Sequence, residues 1–462
     1  MNKHIKTILT CSLILLFTGC ETGRVASHEE AVQKIKTPAE NLPANFKGQV
    51  TSTMEDDGWL KSFNDPMLVK LVDEALKNNP GLKIAEAKVD QARGLILQSE
   101  SKLKPTIGLG AEYADGAKYN EKDVGTAGAT MSWELDVWGK LETGVKKTEE
   151  LQKATLEDYK FAKQSLAASV TKAWFTAVTS KLQLDFANDI IDIQKENLRI
   201  ATVRKEIGQG NGKDVHLSKA ELSTAQEASQ GAQIAYEDAL RSLELLLGRY
   251  PSADIQTTDK LVAVPPKFPA GIPSQVLERR PDMKAMESRV AQAFYQVKEA
   301  ELLHLPSFKL TLGLGVNSAT DAIEKFTAGI FAPIYTGGKI EGQIATATAK
   351  QKKAIAQYVA VALVALKEVE GTLNLESHLI KRKEYLNIIV DENFQAYNLT
   401  KKQYQIGEGS FLDVLVVQQK WISAEIAKLD MDSKTLINRV NMHMALGGSF
   451  EEKQPTEAEK GK

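Results

Sequence analysis

The chain has 462 residues, of which 43% are hydrophobic and 26% are charged, with a formal net charge of -2 at pH 7. This composition provides enough apolar residues for sizeable cores and argues against a chain that is disordered throughout. Because the charges nearly cancel, the chain lacks the basic field that nucleic-acid-binding proteins use, so we expect no nucleic-acid partner. The two cysteines, Cys11 and Cys20, lie in the first twenty residues, which excludes a disulfide framework in the rest of the chain.

The first twenty residues have the layout of a bacterial signal peptide, with an apolar run that is too short to span a bilayer. The run ends in Phe17-Thr18-Gly19-Cys20, which resembles a lipobox and implies cleavage before Cys20 and a covalent lipid on it. The next residue is Glu21 rather than the Asp that signals retention at the inner membrane, which favours the outer membrane. We predict a signal peptide over 1–19 and a lipid-anchored segment over 20–66. The alternative is a plain secretory signal in which Cys20 is incidental.

The rest of the sequence contains an internal duplication. Pro80 and Pro105 correspond to Pro281 and Pro306, which lie 201 positions further on. The later anchors are separated by 199 positions, and they include the pairs Gly139 and Gly338, Gly208 and Gly407, Asp214 and Asp413, and Gly248 and Gly447. We predict a first repeat over 67–249, a proline-rich linker over 250–273, a second repeat over 274–448 and a disordered charged tail over 449–462.

Each repeat contains a very long helical segment. Residues 141–206 and 340–405 contain no proline, and a helix of this length extends about 100 Å. No globular domain needs such a helix, so the pattern predicts a coiled-coil rod or a wall of helices packed side by side. A glycine-rich break follows each long helix, and shorter helices are predicted over 214–247 and 413–446.

Each repeat also contains strands, at about 105–138 and 306–335. The alternation is strict where Phe308, Leu310 and Leu312 are separated by polar or small residues. Strands of about ten residues with one apolar and one small or polar face are typical of a transmembrane barrel; two hairpins on a soluble core are the alternative. Four strands cannot close a barrel, so a barrel requires several chains. Two chains would give roughly eight strands and a filled interior, whereas three would give roughly twelve and an open lumen.

Four motifs of this sequence resemble those of a known family. They are Gly58-Trp59-Leu60-Lys61-Ser62-Phe63, Trp133-Glu134-Leu135-Asp136-Val137-Trp138-Gly139-Lys140, Leu277-Glu278-Arg279-Arg280-Pro281-Asp282-Met283 and Pro333-Ile334-Tyr335-Thr336-Gly337-Gly338-Lys339-Ile340. They are similar to the TolC-like outer-membrane efflux factors, in particular the lipoprotein channels of RND-type pumps, often called NodT type. The match extends over nearly the whole mature chain. Leu60 departs from the family, which often has a second Trp there.

The resemblance implies a mainly α fold with a small β part, in which a homotrimer shares one transmembrane β-barrel and one long periplasmic α-helical barrel. It also implies a periplasmic adaptor and an inner-membrane RND transporter as partners, contact with outer-membrane lipid, and a passive exit duct rather than an enzyme. No cofactor is expected apart from the lipid on Cys20. The alternatives are the outer-membrane component of a type I protein secretion system and, from another class, a structural periplasmic tether.

We predict two groups of functional residues, of which the first follows from the resemblance. The periplasmic tip, which acts as a gate in the family, falls at Gly208, Asp214, Tyr404, Gly407 and Asp413. Three chains would place Asp413 in a ring of carboxylates, but both aspartates are alternatively the N-caps of the helices that they start. One turn after Asp413, some family members have a second acidic ring where this chain has Val416.

The second group lies at the junction between barrel and helices and comprises Trp133, Trp138, Gly139, Gly337 and Gly338. The two tryptophans fit either an interfacial aromatic belt or ordinary packing at the junction. No nucleophile with a neighbouring base and no metal-ligand spacing of histidines is present in the sequence, so we predict neither a catalytic nor a metal site.

Overall fold

Two copies of one order of elements follow each other along the chain. The computed structural model describes residues 28–29, 46, 58–114, 124–266, 273–317 and 322–450. The first copy contains α1 (Pro66–Asn78), α2 (Pro80–Ser101), β1 (Thr106–Ala114), β2 (Val124–Leu135), α3 (Lys140–Glu206) and α4 (Gly212–Leu247). The second contains α5 (Pro273–Arg279), α6 (Pro281–Glu301), β3 (Ser307–Asn317), β4 (Ile323–Phe331), α7 (Lys339–Ile406) and α8 (Phe411–Ala445). The internal duplication predicted from the sequence is therefore confirmed.

The long helices are continuous. α3 has 67 residues and α7 has 68, as their freedom from proline predicts. No helix in the part of the chain that the structure describes is both long enough and apolar enough to cross a membrane. Between α4 and α5, residues 250–266 form neither helix nor strand.

The four strands form one antiparallel sheet in the order β1-β2-β3-β4, so that β2 and β3 join the hairpins of the two copies. The register aligns the apolar rows of all four strands. Ile107 is opposite Met131, Met131 is opposite Leu312, and Leu312 is opposite Phe326. Since directly opposed residues of antiparallel strands project to the same face, the sheet has one apolar face and one small or polar face.

The fourth strand is displaced from its predicted position. The sequence pattern predicted a strand from about Phe326 to Ile334, whereas β4 is Ile323–Phe331 and so begins and ends three residues earlier. Pro333 has no backbone N–H for the ladder, which explains why the strand ends before it. The predicted signal peptide, Cys20 and nearly all of the predicted tail lie outside the described residues.

The described residues belong to two compact units. The first, called the strand unit, contains Glu86–Asp158 and Asp282–Val361; the second, called the tip unit, contains Tyr159–Pro281 and Ala362–Lys462 together with the described part of Asn41–Ala85. In the strand unit α3 and α6 are held together by two salt bridges, Lys147 with Glu299 and Arg289 with Asp158.

The main core of the tip unit fixes the chain before α1. A short 3-10 helix, Trp59–Phe63, buries Trp59 and Phe63 against α3 and α8, where Trp59 stacks on His443 and Phe63 contacts Phe175. Leu60, the family departure noted above, is buried in the same core. The departure is therefore a packing change, as the sequence suggested.

Candidate functional site

Each long helix ends in a tight turn at the predicted tip. Gly208 and Gly407 have φ values of 76° and 90°, a conformation that favours glycine. The backbone closes both turns in the same way, because the N–H of Gln209 donates to Arg204 O at 2.8 Å and that of Glu408 donates to Gln403 O at 2.9 Å. These turns let α4 and α8 begin immediately after α3 and α7.

Arg204 joins the two tip turns. Its Nη1 donates to the backbone oxygens of Tyr404, at 2.5 Å, and Gln405, at 2.9 Å, and its Nη2 donates to Gln209 O at 2.9 Å. The carbonyl groups of Tyr404 and Gln405 lie in the last turn of α7, where helices carry partial negative charge, and that of Gln209 lies in the turn that follows α3. One guanidinium therefore stabilises both helix ends and links the first copy to the second.

Tyr404 is the second link across the tip. Its hydroxyl donates to Asp214 Oδ2 at 3.3 Å, and its ring lies beneath the Arg204 guanidinium and against Phe411. Burial, and then the nearby negative charge of Asp214, raise the pKa of Tyr404 to about 12. The phenol is therefore protonated at neutral pH and able to donate this hydrogen bond.

The structure corrects the alternative reading of the two aspartates. The N-caps of α4 and α8 are Asn211, whose side chain accepts from Asp214 N, and Ser410, whose side chain accepts from Leu412 N. Both aspartates lie in the first helical turn, where a carboxylate interacts favourably with the helix dipole. Asp413 is exposed, and Val416, one turn later, is 49% exposed.

The two predicted junction tryptophans each donate a hydrogen bond within the strand unit. The indole N–H of Trp133 donates to Leu103 O at 2.9 Å, and that of Trp138 donates to Pro306 O at 2.6 Å. The second bond connects the first copy to the second. Both indoles thus use their polar group inside the chain, which favours packing over a membrane-interface belt.

The turns at the junction use the predicted glycines and one residue that the sequence analysis missed. Gly139 and its counterpart Gly338 have φ values of 71° and 84°, and Gly337 has 60°. Asp136 accepts from the backbone N–H groups of Leu141 and Glu142, at 2.9 Å and 2.7 Å, and so caps α3. Aspartate is a preferred capping residue, but Asp136 lies four residues before Lys140, the first residue of α3, so the usual capping position did not reveal it.

Arg204 was also missed by the sequence analysis. Nothing in its neighbourhood distinguishes it from other helical arginines, because its partners Tyr404 and Gln405 lie 200 and 201 positions away. The duplication gives no hint either, since the position equivalent to Arg204 is Gln403. At the tip, the sequence therefore predicted the glycines, Tyr404 and the two aspartates, but not Arg204.

The chain shares its fold with solved outer-membrane channels. The solved structure of the Campylobacter jejuni CmeC outer membrane channel superimposes with a TM-score of 0.84 at 23% identity, over 95% of this chain and 97% of that one. The model of the outer membrane efflux protein family matches residues 71–249 and 272–448. These segments make up most of the chain, which therefore belongs to the outer membrane efflux protein family.

Curated relatives match the chain almost from end to end. The probable outer membrane lipoprotein SilC of Salmonella typhimurium is 26% identical over 466 residues, which cover 96% of this chain and 99% of that protein. The pyoverdine export outer membrane protein OpmQ of Pseudomonas putida is 25% identical over 441 residues, which cover 90% and 93%. The chain is thus an efflux channel of the outer membrane, in a family of channel proteins rather than of known enzymes.

Proposed function

We propose that three copies of this chain form one passive exit duct, with a shared barrel in the outer membrane and a helical tunnel in the periplasm. The observation that carries the proposal is the uncovered apolar face of the sheet. On it Ile107, Leu109 and Phe326 are 74%, 88% and 70% exposed in the single chain. So many large apolar side chains in one patch require a partner or a lipid environment, and lipid is what a barrel strand contacts.

The edges of the sheet support a shared barrel. Within the described residues β1 and β4 each pair on one side only, which leaves two rows of backbone groups available for pairing. Open edges are not tolerated in the hydrocarbon region of a bilayer. Pairing of β4 in one copy with β1 in the next satisfies both edges, and three copies give roughly twelve strands with an open lumen.

The remaining parts of the proposal are supported by membership of the outer membrane efflux protein family. The duct would receive its cargo from an inner-membrane RND-type transporter through a periplasmic adaptor, and both would act on the tip residues described above. A ring of three Asp413 carboxylates would face the cargo there, while Trp133, Trp138 and the junction glycines would hold the barrel on the helices. The cargo would be small molecules; the relatives are named for pyoverdine, toluene and cations, so their names specify no single compound.

Reconstitution of the purified protein in planar bilayers tests the duct. We expect discrete single-channel steps and, in detergent, a protein mass of three chains by light scattering. A monomer without conductance would contradict the proposal and favour a structural tether.

A cellular assay distinguishes efflux from protein secretion. The chain is expressed in an efflux-deficient strain, either with an RND transporter and its adaptor or with a type I secretion transporter and its adaptor. We expect lower accumulation of a fluorescent pump substrate in the first case and no exported protein in the second. The opposite pattern would assign the chain to type I secretion.

The lipid anchor on Cys20 is part of the proposal, and the lipobox-like residues before it are its support. Metabolic labelling with an alkyne-bearing fatty acid should label the wild-type protein and the Cys11→Ala variant equally. The Cys20→Ala variant should carry no label. Because Cys11 and Cys20 are the only cysteines, the two variants are matched controls for each other. Label that persists in Cys20→Ala would exclude the lipobox.

A further inference from the structure

The polar face of the sheet carries four charged side chains, which are Glu112, Glu134, Lys309 and Lys325. Two of them lie on the inner strands, where Glu134 of β2 is directly opposite Lys309 of β3. The other two lie on the edge strands, Glu112 on β1 and Lys325 on β4. The inner strands therefore place opposite charges face to face, and the two edges of the sheet carry one charge of each sign.

Glu112 and Lys325 cannot meet within one chain. Three inter-strand spacings, together about 14 Å, separate β1 from β4. The register separates them further, because the residue of β1 that is level with Lys325 is Gly108, through Thr130 and Gly313. Both charged side chains are exposed in the single chain. An ion pair between these two residues therefore requires a second copy of the chain.

The lengths of the two edge strands select one register between neighbouring copies. β1 and β4 both have nine residues. In an antiparallel pair of these strands all nine residues are paired only if Thr106 is opposite Phe331, and this register places Glu112 directly opposite Lys325. A shift by two residues leaves two residues of each strand unpaired, and a shift by one residue turns the apolar face of one copy to the polar face of the next. Complete pairing, aligned faces and opposite charges therefore agree on one register.

The same register supplies the stagger that a closed barrel needs. If the sheet continued into the next copy without stagger, Gly108 would be opposite Lys325. Complete pairing places Glu112 there instead, four residues further along β1. Four residues rise about 13 Å while four strands extend about 19 Å around the barrel, so the strands tilt by about 35°. Barrel strands tilt by roughly 35–45°, whereas strands without stagger would not tilt at all.

We propose that an ion pair between Glu112 of one copy and Lys325 of the next fixes the register of the β4–β1 contact between copies. The inference rests on the proposed function, because these edges meet only if several copies share one barrel. Opposite charges directly across an antiparallel pair stabilise it, and like charges destabilise it. A slip by two residues would change the tilt, and with it the diameter of the barrel. The ion pairs, on the face that lines the lumen, thus set the width of the pore.

Disulfide cross-linking of the purified protein tests the register. The test variant is Glu112→Cys/Lys325→Cys, oxidised with copper phenanthroline. Two controls, Gly110→Cys/Lys325→Cys and Glu112→Cys/Thr327→Cys, place the cysteines opposite each other only after a slip by two residues in one direction or the other. A Cβ at Gly110 meets nothing within 4 Å, so a cysteine fits there. The single variant Glu112→Cys measures the background from the two native cysteines.

We expect a covalent trimer as the main product of the test variant, with about tenfold less in either shifted control, since cysteines on diagonal positions are too far apart for a disulfide. The single variant should run as a monomer on a denaturing gel. Stronger cross-linking in a shifted control would overturn the register. A protein that is trimeric by light scattering and conducts, but cross-links in none of the three pairs, would overturn the inference and keep the duct. A monomer without conductance would remove the proposed function itself.

Reversal of the charges tests the ion pair without cysteines. Glu112→Lys and Lys325→Glu should each lower the melting temperature of the trimer by a few degrees, because like charges then face each other across the contact. The two changes together should restore most of the loss. The matched control combines Glu112→Lys with Lys309→Glu, on the same face but on an inner strand, and should show the sum of both losses. Restoration in the control, or additive losses in Glu112→Lys/Lys325→Glu, would overturn the ion pair.

Discussion

The guanidinium of Arg204 lies over the ring of Tyr404, with 4.8 Å between its central carbon and the ring centroid, while its Nη1 binds the backbone oxygen of the same residue. Arg204 belongs to the end of α3 and Tyr404 to the end of α7, so one residue pair connects the two copies of the duplicated unit at the tip. Opening of the tip by separation of these helices requires this pair to break.

Replacing Arg204 by Ala should open the tip. The change removes three hydrogen bonds that a charged donor makes to the backbone oxygens of Tyr404, Gln405 and Gln209, which we expect to cost about 2 kcal/mol. Single-channel conductance should rise and the melting temperature should fall. The matched control is Arg199→Ala on the same helix, because Arg199 pairs only locally with Glu196 at the surface. Equal conductance of both variants would show that Arg204 does not keep the tip closed.

Ionisation of Tyr404 should loosen the tip at high pH. The pKa of Tyr404 is raised to about 12 in the folded chain, whereas an unperturbed tyrosine has a pKa near 10. The folded state therefore retains the proton longer, so the contribution of Tyr404 to stability is complete below pH 10 and is lost as the pH rises to about 12. Above that pH the phenolate would repel Asp214 and donate no hydrogen bond.

The difference in tyrosinate absorbance between the wild type and Tyr404→Phe isolates this titration. Its midpoint should lie near pH 12, and the rise in conductance over the same interval should be absent in the variant. Tyr397→Phe is the control, since burial raises the pKa of Tyr397 to about 12 as well but Tyr397 forms no bond with Asp214. A difference curve centred near pH 10 would exclude a buried, hydrogen-bonded Tyr404.

Sequence patterns predicted the elements of the fold correctly wherever a local pattern repeats. Strict alternation identified the strands, freedom from proline identified α3 and α7, and the anchors at constant spacing identified the duplication. The predicted position of β4 was wrong because the alternation of the sequence continues beyond the last paired residue, Phe331, whereas Pro333 cannot continue the pairing. The N-caps were wrongly placed at Asp214 and Asp413; the actual caps, Asn211 and Ser410, are preferred capping residues three positions before them, so the capping rule alone did not select the right position.

The contacts of the candidate sites were less predictable, because they join residues about 170 to 200 positions apart in the two copies. Tyr404 was identified through the resemblance to a family and Trp138 through its place near a strand end, and neither observation indicated a hydrogen-bond partner. A hydrogen bond from Trp138 to Pro306 O depends on how the two hairpins pack, which no spacing along the chain encodes. The duplicated pattern predicts elements, whereas the hydrogen bonds between the copies at the tip and the junction are donated by side chains that the other copy lacks.

A side chain at Gly128 should disrupt the sheet where the two copies meet. A Cβ atom at this position would lie 2.5 Å from Leu314 O and 2.8 Å from Gly315 Cα, both of them backbone atoms of β3. We expect Gly128→Ala to cost about 1–3 kcal/mol by overpacking and to lower the melting temperature of the oligomer. The control is Gly110→Ala on β1, directly opposite Gly128, where a Cβ would meet nothing within 4 Å. Equal melting temperatures would contradict the close approach of β2 and β3.

The buried Asp65 should be the main anchor of the segment that precedes α1. Its Oδ1 accepts from the N–H groups of Met67 and Leu68, at 3.0 Å and 3.1 Å, and its Oδ2 accepts from Trp174 Nε1 at 2.7 Å. Asp65→Ala removes a helix cap and leaves a buried indole N–H without an acceptor, which together cost roughly 3 kcal/mol.

Asp65→Asn should cost less than Asp65→Ala, because its amide oxygen still caps α1. The double variant Asp65→Ala/Trp174→Phe should be more stable than the sum of the single changes predicts, since neither group is then left unpaired. Asp73→Ala, at an exposed position of the same helix, should change the melting temperature little. Limited proteolysis before Trp59 gives an independent measurement, and it should accelerate in Asp65→Ala alone. Strict additivity of the Asp65 and Trp174 changes would show that their hydrogen bond contributes nothing to the anchor.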